Sequence, residues 1–192
     1  MKQPISDSCA LEIINADGNG WLGKLPTPDE QEILAYLQKR RFPPSRILHV
    51  GLGNSLFFQA LGSRVKQGIT LDGKEAEFAS GLGLATILAN KYSVASYMSN
   101  ILGAFDCVID VNIYSYSCCD THFRDYLDLL HANLLPHGVL LTSCRGLAYR
   151  KPITINDLRV LCPKWTIGVR GNIVALLPGR GIMKSLELSF RW

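Results

Sequence analysis

Apolar residues recur first at helical spacing and then in short continuous runs, and the alternation of these two patterns sets the expected fold. Ile33, Leu34 and Leu37 make one face of a helix. Thr27 stands at its N-cap, Pro28 at its first position and Glu30 three residues after the cap, which is a capping box. Pro43 and Pro44 cannot continue that helix, so it should end near Arg41. Arg46 to Val50 is a short apolar strand that runs into glycine, and Ser55 to Leu61 follows as a helix. Val65 to Leu71 reads as a strand and Lys74 to Ala89 as a helix, with Gly81 and Gly83 inside it. Tyr92 to Met98 is the third expected strand. Phe105 to Ile113 is nearly all apolar, as befits a strand covered by helices on both faces. A helix from Thr121 to Leu135 is stopped by Pro136 and Gly138, and Val139 to Thr142 is the fifth strand. After a short helix over Ile155 to Leu161, Trp165 to Val169 and Ile173 to Leu177 flank Arg170-Gly171-Asn172, a hairpin turn.

Strands that alternate with helices and close on a hairpin predict an α/β fold. The expected architecture is a Rossmann-like, doubly wound, mainly parallel seven-stranded sheet with a C-terminal antiparallel hairpin. One domain is expected over residues 1–192, with a core over 29–178. Residues 1–28 are read as a lid segment, since Asn15 to Pro28 is rich in Gly, Asn and Pro. Residues 179–192 are read as a tail strand in which Leu186, Leu188, Phe190 and Trp192 alternate onto one face. That tail is an added edge strand or a homodimer contact, and the pattern leaves both open.

Composition narrows the class. With 47% hydrophobic and 19% charged residues the chain is globular, and no apolar run nears the roughly 18 residues that span a bilayer. Met1 to Ala10 lacks the order of a secretory signal, so a cytoplasmic location without membrane contact is expected. The net charge of +4 comes in short clusters such as Lys39-Arg40-Arg41, which favours a helix C-terminus over a nucleic-acid stripe. Six cysteines show no C-x-x-C pair. Neighbouring Cys118 and Cys119 do not easily grip one cation, so no metal is expected.

Candidate chemistry begins where the first strand exits. His49-Val50-Gly51-Leu52-Gly53-Asn54-Ser55 holds two glycines, one for a tight turn and one for close approach of backbone to a ligand. A dinucleotide loop wants a small residue where Leu56 stands, and a phosphate P-loop wants a Gly-Lys pair that is absent.

The stretch Ile47 to Ser55 resembles the first motif of the class I S-adenosylmethionine-dependent methyltransferases. Phe105-Asp106-Cys107-Val108-Ile109 is similar to that family's fourth strand, and Leu134-Leu135-Pro136-His137-Gly138-Val139-Leu140 to its entry into the fifth. The resemblance implies S-adenosylmethionine as cofactor, held by Gly51, Gly53, Asn54 and Ser55, with Asp110 at the fourth strand's exit. Two departures stand out. Ser55 replaces a frequent third glycine, and Thr70 stands where the family usually has the acid that grips the ribose. The segment Gly68 to Glu75 is similar instead to cyclopropane-fatty-acid-synthase-like methyltransferases, which implies that Glu75 approaches the ribose, with Thr70 and Asp72 in the same cofactor-binding stretch. By residue type alone, Asp72 and Glu75 cap and charge the first turn of the next helix, the reading favoured for Asp72. Asn100, near the expected end of the third strand, is the adenine candidate.

The fourth strand's exit, Asp110 to His122, carries polar and aromatic density suited to a small-molecule pocket. Asn112, Tyr114 and Tyr116 are expected to shape the acceptor site and His122 to act as base, because imidazole titrates near neutral pH. The expected function is methyl transfer to a small soluble metabolite or natural-product intermediate. Transfer of the cofactor's aminopropyl or aminocarboxypropyl arm, or a non-catalytic binding role, are the alternatives.

Overall fold

The computed structural model describes residues 21–115, 117–149 and 152–179. Most of the expected lid, Tyr116, and all but the first residue of the tail at 179–192 therefore lie outside the described residues.

At the centre is β1 (Ile47–Val50), whose four residues are all buried because helices cover both faces of the sheet. It pairs in parallel with β2 (Val65–Thr70) on one side and β4 (Phe105–Asp110) on the other. β3 (Thr86–Leu88) extends the sheet beyond β2, and β5 (Leu134–Ser143) lies beside β4, both parallel. β7 (Ile173–Pro178) then runs antiparallel between β5 and β6 (Trp165–Arg170), giving the seven-stranded order β3-β2-β1-β4-β5-β7-β6. The doubly wound sheet with its antiparallel hairpin is the architecture expected from the sequence.

α1 (Pro28–Lys39) begins at the Thr27–Glu30 capping box and buries Ile33 and Leu37. With α2 (Leu56–Leu61) and α3 (Gly73–Gly81) it covers one face, around Phe57, Leu61 and Ala79. α4 (Asp120–Asn133) and α6 (Ile155–Leu161) cover the other, through Phe123, Tyr126, Leu130, Leu158 and Leu161. α5 (Cys144–Leu147) is a single turn after β5.

One region departs from expectation. The helix expected to reach Ala89 stops at Gly81, and β3 is Thr86–Leu88 rather than Tyr92 to Met98. Gly83 takes φ +90°, a left-handed turn that ends α3, so the three residues that follow are delivered to the sheet edge. Tyr92 and Tyr97 are buried aromatic plugs in a loop containing two 3₁₀ turns, Val94–Ser96 and Met98–Asn100. Their hydroxyls donate to backbone carbonyls, Tyr92 to Ile113 and Ser115, Tyr97 to Lys91.

Candidate functional site

In register, Val50 lies level with Ile69 of β2 and Asp110 of β4. The chain order of the strands reverses at β1, and ligands of open α/β sheets bind above such a switch point, beyond the carboxyl ends. A cleft of about 580 Å³ opens there, a size suited to a small molecule.

Its floor is the glycine loop. Gly51 and Gly53 take φ +75° and +49°, which side-chain-bearing residues adopt only with strain. A Cβ on Gly51 would meet nothing within 4 Å, so bare backbone faces open space. The loop is anchored from below by Leu52, fully buried against β2. That contact needs Gly68, where a Cβ would lie 2.6 Å from Leu52 Cδ2. Ser55 is the next left-handed residue, φ 54°, standing where a third glycine is common. Its hydroxyl is buried without a hydrogen-bond partner among the described residues, and it lies beneath the cleft rather than lining it.

Glu75 rises from the first turn of α3 into the cleft wall. Its Oε2 accepts from the Gly53 N–H at 3.0 Å and from the Thr70 hydroxyl at 2.7 Å. Burial pushes its carboxyl upward, opposed by the hydrogen bonds from Thr70 and Gly53. Asp72 is the N-cap of α3, accepting from the Lys74 and Glu75 N–H groups at 2.9 and 3.2 Å, and it also borders the cleft.

Three segments wall the remaining sides. A strap over Trp21–Thr27 crosses the glycine loop, where Asn54 clasps it. The Asn54 Oδ1 accepts from Gly23 N–H at 2.7 Å, and its amide donates to the Lys24 carbonyl. Asn112 and Ser115 line the side beyond β4, and Arg145 and Tyr149 the side beyond β5. Asp29 joins two of these walls. Its carboxylate accepts from Arg145 at 3.0 Å, Asn172 at 2.7 Å and Ser143 at 3.1 Å.

Asp110 lies at the cleft's base in a buried ion pair with Lys91, Nζ to Oδ2 2.7 Å, and also accepts from the Tyr126 hydroxyl at 2.8 Å. Lys91 donates further to the Asn112 carbonyl at 2.8 Å. Desolvation pulls the Lys91 pKa down, and the Asp110 charge pushes back. Sequence reasoning missed Lys91, Asp29 and Arg145. Lys91 is hidden by the misplaced third strand, since it lies three residues past the true strand's last residue, Leu88.

Several expected site residues lie elsewhere. Asn100 borders a separate hollow under the β3 edge, where its carbonyl accepts from Gln67 at 2.8 Å. The third strand, whose expected end would carry it, ends at Leu88 instead. Tyr114 is 2% exposed, packs its ring edge-on to Phe123 and donates to Asp120 at 2.6 Å, because the chain past Val111 turns Ile113 and Tyr114 back under α4. His122 does not line the cleft. Its Nδ1 lies 3.0 Å from Cys118 Sγ and 3.4 Å from Cys119 Sγ. The two sulfurs are 3.9 Å apart, and His122 lies three residues beyond the N-cap Cys119, so the three side chains stand together at the start of α4.

No family model and no curated protein matches the sequence. Among solved structures, the N-methyltransferase NodS from Bradyrhizobium japonicum WM9 is similar over 80% of this chain and 98% of its own, at 13% identity and TM-score 0.60. The same enzyme in complex with S-adenosyl-L-homocysteine gives 15% identity, coverage of 80% and 88%, and TM-score 0.61. The methyltransferase MycE of mycinamycin biosynthesis, in complex with Mg, S-adenosyl-L-homocysteine and mycinamycin VI, gives 18% identity, coverage of 82% and 50%, and TM-score 0.53. Strand order, parallel core and terminal hairpin agree with these comparisons, and the chain therefore has the Rossmann-like fold of the S-adenosylmethionine-dependent methyltransferases.

Proposed function

We propose that the protein is an S-adenosylmethionine-dependent methyltransferase that acts on a small soluble acceptor. The observation that carries this reading is the Gly51 backbone left bare beneath the cleft, with a buried carboxylate, Glu75, fixed by Gly53 beside it. The residues fit the cofactor's parts. Gly51 leaves room for its backbone-hugging portion, Glu75 offers charge-assisted acceptance to ribose hydroxyls, and Ile69, Leu71 and Ala89 form an apolar wall for adenine. Bound there, the cofactor supplies an electrophilic methyl on a sulfonium.

The protein's own part is then positional. Thr70 and Gly53 hold the Glu75 carboxylate in one orientation before any ligand arrives, so its ordering need not be repeated on binding. The Lys91–Asp110 pair keeps the base of the cleft neutral overall while fixing the Asn112 carbonyl. Asn112, Ser115, Arg145 and Tyr149 face the acceptor side and orient its nucleophile, and the strap excludes water. No histidine lines the cleft among the described residues, so a proton leaves through a carboxylate, a hydroxyl or solvent. The narrow surround of strap and two loops favours a metabolite over a macromolecule.

Calorimetric titration of the full chain with S-adenosylhomocysteine tests the reading. Measurable heat that Glu75→Ala weakens by tenfold or more is expected. Absence of binding would leave the fold as a non-catalytic scaffold. A product carrying an aminocarboxypropyl group in place of a methyl would reassign the transferred arm.

A further inference from the structure

Two thiols and an imidazole meet at the start of α4, outside the cleft. Cys119 is the N-cap of this helix and His122 stands three residues on. The same spacing joins Thr27 to Glu30 and Thr154 to Asp157, where the helix start brings the N-cap hydroxyl against the third residue's carboxylate. In α4 that geometry brings together a sulfur and a ring nitrogen, and Cys118 adds a second sulfur.

The distances fit a cation. Cys118 Sγ, Cys119 Sγ and His122 Nδ1 form a triangle with edges of 3.9, 3.4 and 3.0 Å. A tetrahedral ion about 2.3 Å from sulfur and about 2.0–2.1 Å from nitrogen sets sulfur–sulfur and sulfur–nitrogen edges of roughly 3.8 and 3.6 Å. Side-chain rotations of a few tenths of an ångström reach those values. All three residues are half-buried. A donor set of two sulfurs and one imidazole selects thiophilic ions and disfavours magnesium and calcium, which want oxygen.

We propose that Cys118, Cys119 and His122 bind one divalent cation of the zinc class, with water in the fourth position. Each thiol releases one proton on binding, the two thiolates neutralise the dication, and the imidazole binds neutral through Nδ1. The helix N-terminus favours the thiolates. Asn112 and Ser115 lie on the same connection between β4 and α4 and line the cleft, so the ion staples the acceptor-side wall to α4. This site stands independently of the methyl-transfer reading.

The test uses the full chain, reduced and stripped of metal, titrated with cobalt(II) and then with zinc against a chromophoric chelator. One equivalent of cobalt should bind with the thiolate-to-metal charge-transfer band and visible spectrum of a tetrahedral site, and zinc should displace it. The Cys118→Ser/Cys119→Ser variant should lose the band. His122→Ala should weaken zinc by more than the roughly 10–100-fold that losing an outer-shell partner costs. Absence of stoichiometric binding overturns the proposal. So does binding unchanged in the double variant, which would place the cation on other cysteines. Thermal midpoints of the metal-free proteins separate lost ligands from lost fold, and should the double variant not fold, unchanged affinity in His122→Ala is itself a refutation.

Discussion

His49 makes the protein acid-labile in a way that a single substitution should remove. It sits in β1, 1% exposed, with its ring edge-on to Phe57 at 4.8 Å. Neither ring nitrogen has a hydrogen-bond partner among the described residues. Desolvation therefore lowers its pKa from 6.5 to about 3. Because the folded pKa is depressed, the folded form is favoured fully above 6.5, and that advantage falls away between 6.5 and about 3 as the unfolded chain takes up a proton. Each pH unit in that window costs about 1.4 kcal/mol, so moving from neutral pH to pH 5 costs roughly 2 kcal/mol from this residue alone. Urea denaturation at pH 7.5 and pH 5 measures it. With a slope of about 2 kcal/mol per molar, the midpoint should drop by about 1 M more in the wild type than in His49→Leu, a replacement of similar volume. Carboxylates common to both proteins cancel in that difference. Equal losses in the two proteins would refute the reasoning, since His49 would then have to find a proton or a partner in the fold.

Other substitutions probe the cleft and its supports. Glu75→Gln, which keeps the shape and removes the charge, should weaken S-adenosylhomocysteine by about 1.5–3 kcal/mol in calorimetry while leaving the thermal midpoint within a few degrees. Lys91→Met strands the Asp110 carboxylate in the interior and should cost about 3–5 kcal/mol in denaturant titration, whereas the Lys91→Met/Asp110→Leu pair should recover most of it. Gly68→Ala drives a methyl into Leu52 and should destabilise by about 1–3 kcal/mol, together with weaker ligand binding as the glycine loop lifts. Thr27→Ala removes the hydroxyl that caps α1 and should cost about 1 kcal/mol, read by thermal unfolding.

Much of the fold was legible because its signals are local. The capping box at Thr27, the glycine exit after Val50, the apolar run of Phe105 to Ile109 and the turn at Arg170-Gly171-Asn172 each fix their own element through spacing or backbone permissiveness. The third strand was not, since Thr86–Leu88 is too short to show a period, and Leu84 and Ile87 prolong the apolar rhythm of the preceding helix. That shift also displaced the site by misplacing Asn100 and passing over Lys91. Asp29 and Arg145 escaped for another reason. Their contact joins residues 116 positions apart, and only the docking of α1 against the end of β5 brings them together. Read from sequence, Cys118 and Cys119 form a pair and His122 stands apart from them, and a hydroxyl-type capping box with sulfur and nitrogen in its two places is the pattern that joins all three.

Glu75 carries a charge on a helix at a place where a strand residue would more simply carry it, and this alters how the wall tolerates change. A strand side chain is aimed by pleat parity, so a slip of one residue reverses it outright. The Glu75 carboxylate is aimed by the phase of α3, which turns about 100° per residue, and that phase is locked by Asp72 gripping the N–H groups of Lys74 and Glu75, the second and third of the helix. A residue inserted between Asp72 and Glu75 would swing the charge a quarter-turn off the loop while leaving every strand in register, a lesion in aim with the scaffold intact.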